Sequence, residues 1–402
     1  MHRLAMGAST AVLLAALAVA PPARSADDDI VIGFAIAQSG WMNAYDGPPL
    51  KGAQMAIDDI NAKGGVLGKK LRAVVVDTKS DQTEGAKAGQ AVLAQGAKFM
   101  AVSCDYDMGA GAATVANSNK IIAISFCASD AKMGVQGIGP YAFTMSNSSL
   151  TSGAVLAEWA WSKKNWRNAY ILLDTTIEYD KAICGGFETR WAKLGGKMVG
   201  KDNFKQDDAS IASQITRYQQ AQTSGGKVDF MMVCSYDGGA VSAIRQIRAA
   251  GIDTPLGGGD SMDGDYWAKG IPHLNDHYTG TYGSAFGDDP RKGYNDFMDR
   301  IAKFNNNERL PTSFGITGYS VVEAFALAAT RAGTTDSDKV LAEMNKFKNE
   351  DLVVGPTTYT PDLHINLMRP QAVMGIKDGK GYFVELIQLP EPPPLELIFK
   401  KN

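Results

Sequence analysis

Two short segments place a tyrosine and an aspartate directly after a run of apolar residues. They are residues 99–110 (FMAVSCDYDMGA) and residues 230–240 (FMMVCSYDGGA). Each pattern predicts a buried strand, a turn and the start of a Gly/Ala-rich helix. Ligands of open α/β sheets bind at the carboxyl ends of the strands, and a tyrosine ring suits the wall of a cleft. The repeat therefore predicts two similar lobes that present Tyr106 and Tyr236 to one ligand.

The elements around these turns alternate between strand and helix, which predicts an α/β fold with mostly parallel, doubly wound sheets. The second half repeats the order of the first. A loop is expected over residues 38–49, and residues 390–394 (PEPPP) predict a stiff extended tail. The predicted strands include residues 30–36, 71–76, 121–125, 169–174, 197–204, 371–376 and 382–388, and the predicted helices include 51–60, 83–95, 151–164, 239–250, 291–304, 317–332 and 337–347.

The length, the charge and the N-terminal residues of the chain limit the class of protein to which it can belong. A chain of 402 residues predicts two domains, and a net charge of −3 with no basic cluster argues against nucleic acid as a partner. The apolar run at residues 11–20, followed by Pro21-Pro22 and by Ala23-Arg24-Ser25, predicts a signal peptide that is cleaved after Ser25. We therefore expect an exported, soluble protein.

Export makes disulfides possible. Of the three pairings of four cysteines, one bridge in each half is our prediction, Cys104–Cys127 and Cys184–Cys234, and four buried free thiols are the alternative.

Neither a metal site nor an active site is expected. No C-x-x-C occurs, and the nearby Pro272 and Asn275-Asp276 make His273 and His277 a surface pair rather than metal ligands. The motifs G-x-S-x-G, H-E-x-x-H and G-x-x-x-x-G-K-[ST] are absent from the sequence, so we expect a protein that is not an enzyme and holds no cofactor.

The most specific stretch of the chain is residues 52–71 (GAQMAIDDINAKGGVLGKKL). It closely resembles the type I periplasmic solute-binding proteins of ABC importers, and the nearest group is the branched-chain amino acid (Leu/Ile/Val) receptor family. The likeness extends over essentially the whole mature chain. The resemblance implies two hinged Rossmann-like lobes that close over a small molecule, an ABC permease as membrane partner, a periplasmic location and a monomer.

The resemblance also implies a division of the chain into two lobes joined by three crossings. Residues 1–25 form the signal peptide. The N-terminal lobe comprises residues 26–145 plus 282–356, the C-terminal lobe comprises residues 146–281 plus 357–389, and residues 390–402 form the tail.

Site residues follow from the same resemblance, because the family holds the carboxylate of an amino acid in the first lobe and its ammonium in the second. Cys127-Ala128-Ser129 match the family's Ala-Ala-Thr and provide a hydroxyl and backbone N–H donors. Asp105 stands where the family has a serine, which argues against a simple carboxylate as ligand. The remaining matches are Tyr45 in the first lobe and Tyr179 and Asp260 in the second, and Tyr236 lies in the facing loop of the second lobe.

A cleft that contains Asp105, Glu178 and Asp260 would be rich in carboxylates and suits an amine, a cationic head or a ligand with several hydroxyls. Several of the polar residues in these loops have a purely structural alternative. Asp107, Asp237, Asp260, Asp263 and Ser129 could be helix caps, and Tyr179 could pack along its own helix. The leading function is a receptor that delivers its ligand to an ABC permease. The alternative is an extracytoplasmic sensor that passes lobe closure to a signalling partner.

Overall fold

The computed structural model describes residues 29–399, so the predicted signal peptide lies outside the described residues. Its strands are β1 Ile30–Ile36, β2 Leu71–Asp77, β3 Phe99–Val102, β4 Ala123–Ser125, β5 Ala142–Thr144, β6 Asn168–Asp174, β7 Lys197–Phe204, β8 Phe230–Cys234, β9 Leu256–Gly258, β10 His277–Thr281, β11 Glu350–Leu352, β12 Gly355–Thr357, β13 Gln371–Lys377 and β14 Lys380–Ile387.

The α-helices are α1 Asn43–Ala62, α2 Gln82–Ala94, α3 Tyr106–Ser118, α4 Ser149–Lys164, α5 Glu178–Lys193, α6 Ala212–Gly225, α7 Asp237–Ala249, α8 Lys292–Phe304, α9 Gly315–Ala332, α10 Ser337–Met344 and α11 Leu395–Ile398. Short 3-10 helices lie at Ala131–Met133, Asp260–Met262 and Ala268–Gly270.

Each lobe is built on a sheet with the same strand order. The first sheet runs β2-β1-β3-β4-β5, and all of its neighbouring strands are parallel. In the second sheet the parallel strands β7-β6-β8-β9-β10 repeat that order, and the antiparallel strands β13 and β14 extend the edge. Because the order reverses at β1 and at β6, each sheet has a switch point where the carboxyl ends open a crevice for a ligand. The predicted α/β fold with two doubly wound lobes is confirmed.

Helices cover both faces of each sheet. In the first lobe one core layer lies under α1 and α9, and a second, alanine-rich layer lies under α2 and α3. In the second lobe α4 and α5 cover one face, and α6 and α7 cover the other. The late helices α8 and α9 pack against α1, and α10 packs on α9. These contacts place the three helices of residues 292–344 on the first lobe.

Helix α1 begins earlier than the sequence predicts. Residues 43–49 are helical, whereas the sequence predicts a loop there. The helix contains Pro48 and Pro49, although proline inside a helix normally kinks or ends it. One glycine on each helix lets α1 and α9 approach closely. A Cβ at Gly318 of α9 would lie 1.7 Å from the carbonyl oxygen of Pro49, and a Cβ at Gly52 of α1 would lie 1.8 Å from the carbonyl oxygen of Gly315. This close crossing packs the first turns of α1 beside the start of α9.

Within the described residues the chain passes between the lobes three times: between β5 and α4, between β10 and α8, and between β12 and β13. Arg369 ties two of these segments together, because its guanidinium donates to the carbonyl oxygen of Met145 at 2.9 Å and to the hydroxyl of Thr357 at 2.7 Å. The hydroxyls of Ser146 and Tyr282 lie 2.8 Å apart and link the first crossing to the second. The predicted lobe boundaries remain a prediction at the level of single residues.

The C-terminal tail is not wholly extended, contrary to the prediction. Residues Leu395–Ile398 form α11, and Ile398 is buried against Ala131, Leu150 and Leu367. The proline-rich part is also held in place, since Glu391 forms ion pairs with Arg190 and Lys193.

No helix in the described part of the chain has the length and apolar character needed to cross a membrane.

Candidate functional site

A cleft between the lobes is lined by the loops at the carboxyl ends of both sheets. Its side chains surround about 400 Å³ of space, which includes open solvent at the mouth of the cleft. The lining residues are Trp41, Met42, Tyr45, Cys104, Asp105, Cys127, Ser129 and Phe314 on the first-lobe side and Ile177, Tyr179, Tyr236, Asp260 and Ser261 on the second-lobe side.

The first-lobe wall is organised by the buried carboxyl group of Asp46 on α1. It accepts hydrogen bonds from the backbone N–H of Ala37 at 2.7 Å, from the backbone N–H of Cys104 at 2.8 Å and from the hydroxyl of Ser103. Burial raises the pKa of Asp46 to about 6, although these three donors oppose the shift. The carboxyl group thus fixes the loop after β3 to the start of α1, which carries Tyr45.

Asp105 occupies the N-cap of α3. Its side chain accepts a hydrogen bond from the backbone N–H of Met108 at 3.1 Å, so this residue, and not Asp107, caps the helix. Burial, with the nearby Asp107 as a further cause, raises the pKa of Asp105 to about 7. The cap therefore presents a carboxyl group to the cleft that can gain or lose a proton near neutral pH.

The loop after β4 adds Cys127 and Ser129 to the same wall. The predicted disulfide Cys104–Cys127 is present and joins this loop to the one after β3. Ala128 does not line the cleft: its N–H donates to the Ser125 hydroxyl at 2.9 Å, and its carbonyl accepts from Thr144. The backbone donor that the sequence assigns to Ala128 is therefore used within the lobe.

The second-lobe wall centres on Tyr179 of α5 and on the loop after β9. The hydroxyl of Tyr179 donates to the carboxylate of Asp260 at 2.9 Å and accepts from the backbone N–H of Ser261 at 3.1 Å. Burial raises the pKa of Asp260 to about 7 against the opposing hydrogen bond from Tyr179. Asp260 is not a helix cap, because Gly259 holds that position without a side-chain bond.

The disulfide predicted for the second lobe is also present and joins Cys184 of α5 to Cys234 at the end of β8. It ties the helix that carries Tyr179 to the strand that leads into Tyr236. Both predicted cysteine pairings are confirmed.

The two walls touch each other across the cleft. The rings of Trp41 and Tyr236 have centroids 5.2 Å apart. Outside the cleft lining, the buried carboxylate of Asp263 accepts hydrogen bonds from the backbone N–H of Ser313 at 2.7 Å and from its hydroxyl at 2.6 Å. Burial raises the pKa of Asp263 to about 6. These contacts hold the lobes together in a closed arrangement.

Tyr106 and Glu178 do not line this cleft. They line a neighbouring outer cleft, where Lys132 forms an ion pair with Glu178 and lies 6.0 Å from the centre of the Tyr106 ring. The hydrogen bond from Lys132 lowers the pKa of Glu178. Glu178 contributes to the contact between the lobes, because it pairs with Lys132 and its N–H donates to Asp107 at 3.2 Å.

The difference between the two tyrosines is an offset of one residue in the repeat. In the first lobe Asp105 is the N-cap and Tyr106 is the first helical residue, whereas in the second lobe Tyr236 itself is the N-cap. Asp105 and Tyr236 therefore hold corresponding positions, and both line the cleft.

Of the predicted site residues, the structure brings seven together in the cleft: Tyr45, Asp105, Cys127, Ser129, Tyr179, Tyr236 and Asp260. Their contact with a ligand remains a prediction. Sequence reasoning missed six other lining residues, Trp41, Met42, Cys104, Ile177, Ser261 and Phe314, of which Cys104 is predicted only as a disulfide partner. Ser261 and Ile177 adjoin predicted loop residues, so including whole strand-end loops would have found them. Phe314 caps α9, which reaches the cleft only through its packing on α1.

The histidine pair is not a surface pair. His273 is exposed, but His277 is fully buried in β10, and neither of its ring nitrogens has a hydrogen-bond partner within the described residues. Burial lowers the pKa of His277 to about 3. Among residues 29–399 no group of three or more His, Cys, Asp or Glu residues could hold a metal ion.

Comparisons with known proteins agree on one family. The sequence profile described as "Periplasmic binding protein" matches residues 29–380. The Leu/Ile/Val-binding protein homolog 3 of Brucella melitensis is 23% identical over 341 residues, which cover 84% of this chain and 89% of that protein.

Two solved structures share the fold. The branched-chain amino acid transporter substrate-binding protein LivJ of Streptococcus pneumoniae, in complex with isoleucine, superposes with a TM-score of 0.76 at 24% identity and covers 90% of this chain and 100% of that one. An ABC transporter solute-binding protein of Rhodopseudomonas palustris, in complex with 3,4-dihydroxybenzoic acid, superposes with a TM-score of 0.74 at 19% identity and covers 91% of this chain and 99% of that one.

Proposed function

This chain belongs to the periplasmic binding protein family, and on that premise we propose that it is the exported receptor of an ABC importer. It closes its two lobes over a small polar molecule, an amino acid or a related amine, hydroxyl or aromatic compound, and delivers that molecule to a membrane permease. It acts in the periplasm as a monomer and does not turn its ligand over.

The observation that carries the proposal is the composition of the cleft. Strand-end loops of both lobes supply its lining, so one ligand would touch both lobes at once. A ligand that bridges two lobes stabilises the closed state relative to the open state. The size of that stabilisation is the difference between its binding free energies for the closed and the open state. Such a hinge closure is a general way for a binding protein to report occupancy to a partner.

The class of ligand is supported by the relatives. They include a Leu/Ile/Val-binding protein homolog and solved structures in complex with isoleucine and with 3,4-dihydroxybenzoic acid. The cleft described above combines aromatic rings with hydroxyl and carboxyl groups, which can bind each of the three features of such ligands: apolar chains, amines and hydroxyls.

A thermal-shift screen with a cavity-filling variant tests the proposal. A ligand that binds the folded protein at a concentration of about 100 times its Kd should raise the Tm by roughly 3 °C or more. Ser129→Phe should abolish the shift, because the new ring would occupy the cleft. Ser224→Phe is the matched control, since Ser224 is exposed on α6. A compound that stabilises the Ser129→Phe variant as strongly as the wild type would bind elsewhere and would count against the proposal.

A further inference from the structure

We propose that the ligand of the cleft is an organic ammonium cation that carries no carboxylate. The inference rests on the proposed function and narrows the ligand to one class. It is drawn from the charges and rings that surround the cleft.

The lining contains acidic side chains from both lobes and, among the described residues, no basic side chain. Asp105 contributes a carboxyl group from the first lobe and Asp260 contributes one from the second, and none of the described residues that line the cleft is Lys, Arg or His. Both carboxyl groups are more than nine-tenths buried, at 7% and 6% exposure. A ligand carboxylate would therefore meet two buried acidic groups and no cationic side chain, whereas an ammonium would meet two partners.

The surroundings of each carboxyl group add further acids. Asp105 is faced by Asp107 and Asp130 of its own lobe and by Asp180 at the start of α5. Asp180 is fully buried, and neither of its carboxyl oxygens has a hydrogen-bond partner within the described residues. Asp260 is faced by Tyr179, Asp263 and Tyr282. A cleft of low dielectric that is lined by one sign of charge concentrates ligands of the opposite sign.

Basic side chains near the cleft, among them Lys132 and Arg369, are engaged elsewhere. Lys132 forms its ion pair with Glu178 in the outer cleft. The guanidinium of Arg369, which lies beyond Tyr282, donates to Met145 and Thr357 in the crossing segments. Neither side chain lines the cleft.

Aromatic rings complete the site. Trp41, Tyr45 and Phe314 stand on the first-lobe side and Tyr179 and Tyr236 on the second, with Trp41 6.2 Å from Tyr45 and Tyr45 6.4 Å from Phe314 between ring centroids. The negative faces of such rings attract cations, and several rings around one cavity are the usual way to bind an organic ammonium group. Burial raises the pKa values of Asp105 and Asp260 to about 7, so a bound cation should also displace protons from the cleft.

Matched pairs that differ only by a carboxylate test this proposal on the full exported protein. Isopentylamine is compared with leucine, tyramine with tyrosine, and putrescine with ornithine, by thermal shift and by calorimetric titration. We expect at least one amine to bind at least tenfold more tightly than its parent amino acid. We also expect its binding to release protons at pH 7, measured as a dependence of the binding heat on the ionisation enthalpy of the buffer.

Asp105→Asn removes the charge and keeps a side chain that caps helices well. It should weaken amine binding at least tenfold. The matched control is Asp81→Asn, because Asp81 caps α2 through the N–H groups of Thr83 and Glu84 and lies outside the cleft.

The possible outcomes test the cationic ligand and the receptor function separately. Tighter binding of an amine supports both the receptor and the cationic ligand. Tighter binding of leucine, tyrosine, ornithine or 3,4-dihydroxybenzoate contradicts the proposal of a carboxylate-free ammonium ligand and still supports the proposed receptor function. Absence of binding by amines, amino acids and aromatic acids alike contradicts both.

Discussion

The indole ring of Trp41 in the first lobe lies against the phenol ring of Tyr236 in the second, with 5.2 Å between their centroids. Both rings line the cleft, and each follows a strand at the switch point of its own sheet. The pair is therefore at once a wall of the site and a contact between the lobes. A change at either ring should alter ligand affinity through closure.

Trp41→Ala should weaken ligand binding about tenfold, because an aromatic pair contributes about 0.5–1.5 kcal/mol beyond the area it buries and the same ring lines the cleft. Trp41→Phe retains an aromatic ring and should stay within about threefold of the wild type. Calorimetric titration of each variant gives the Kd. Equal losses for Phe and Ala would show that the ring itself does not contribute.

Gly259→Ala should weaken binding at least tenfold. A Cβ at Gly259 would lie 1.8 Å from the hydroxyl oxygen of Tyr179, so the tyrosine that holds Asp260 would have to move. Overpacking of this kind also lowers the free energy of unfolding by about 1–3 kcal/mol.

The control for this variant is Gly238→Ala in α7, where no heavy atom lies within 4 Å of the added Cβ. Alanine favours a helix over glycine, so this variant should be as stable as the wild type or more stable. Retention of full affinity by Gly259→Ala would contradict a role of Tyr179 in the site.

The free energy of unfolding should depend on pH through Asp105. Burial raises its pKa to about 7 in the folded protein, and the unfolded chain has a value of about 3.9. The folded state therefore binds more protons between these values, and the stabilisation present below pH ~4 is lost as the pH rises through about 7.

Relative to Asp105→Asn, which does not titrate, the ligand-free wild type should lose about 3 kcal/mol between pH 4.5 and pH 7.5. Denaturant unfolding at several pH values measures the difference. Asp81→Asn, in the exposed cap of α2, should follow the wild type. Parallel curves for the wild type and Asp105→Asn would show that Asp105 keeps an ordinary pKa.

The two disulfides should differ in their effect on binding. Replacing both cysteines of either pair by alanine should lower the free energy of unfolding by about 2–4 kcal/mol. The loss should be larger for Cys184–Cys234, because its cysteines are 50 residues apart in sequence and those of Cys104–Cys127 are 23 apart. Only the first-lobe pair lines the cleft. Ligand affinity should therefore fall for Cys104→Ala/Cys127→Ala and fall less for Cys184→Ala/Cys234→Ala, and the reverse order would argue that the ligand binds elsewhere.

The C-terminal helix should stabilise the protein through one side chain. Ile398→Ala should lower the free energy of unfolding by about 1–2 kcal/mol, because Ile398 is 8% exposed. Leu395, on the same helix, is 45% exposed, so Leu395→Ala should change it by less than about 0.5 kcal/mol. Equal effects of the two substitutions would indicate that the tail does not pack on the lobes in solution.

The sequence predicts the elements well because their signals are local. The strands of residues 30–36 and 197–204 have the predicted bounds, and the helices of residues 292–304 and 315–332 begin and end within two residues of them. Helix α1 is the exception. Its prolines indicate a loop by local rules, and the contact with the glycines of α9, far along the chain, is not visible in the sequence.

The site is predicted less completely, since side-chain direction depends on where a helix starts. A shift of one residue in the N-cap turns Tyr106 towards the outer cleft and leaves Asp105 in the site. Ala128 is adjacent to two lining residues, but its backbone N–H and carbonyl groups form hydrogen bonds with Ser125 and Thr144. His277 lies in a loop-like sequence yet forms a buried strand, because pairing with β9 and β13 outweighs the local turn signals.

A crystal structure of the protein with a stabilising compound from the matched pairs shows where the ligand binds. We expect one molecule between the lobes, in contact with Trp41 and Asp105 on one side and with Tyr236 and Asp260 on the other. A molecule seated in the outer cleft beside Lys132 and Glu178, or on one lobe alone, would contradict this expectation.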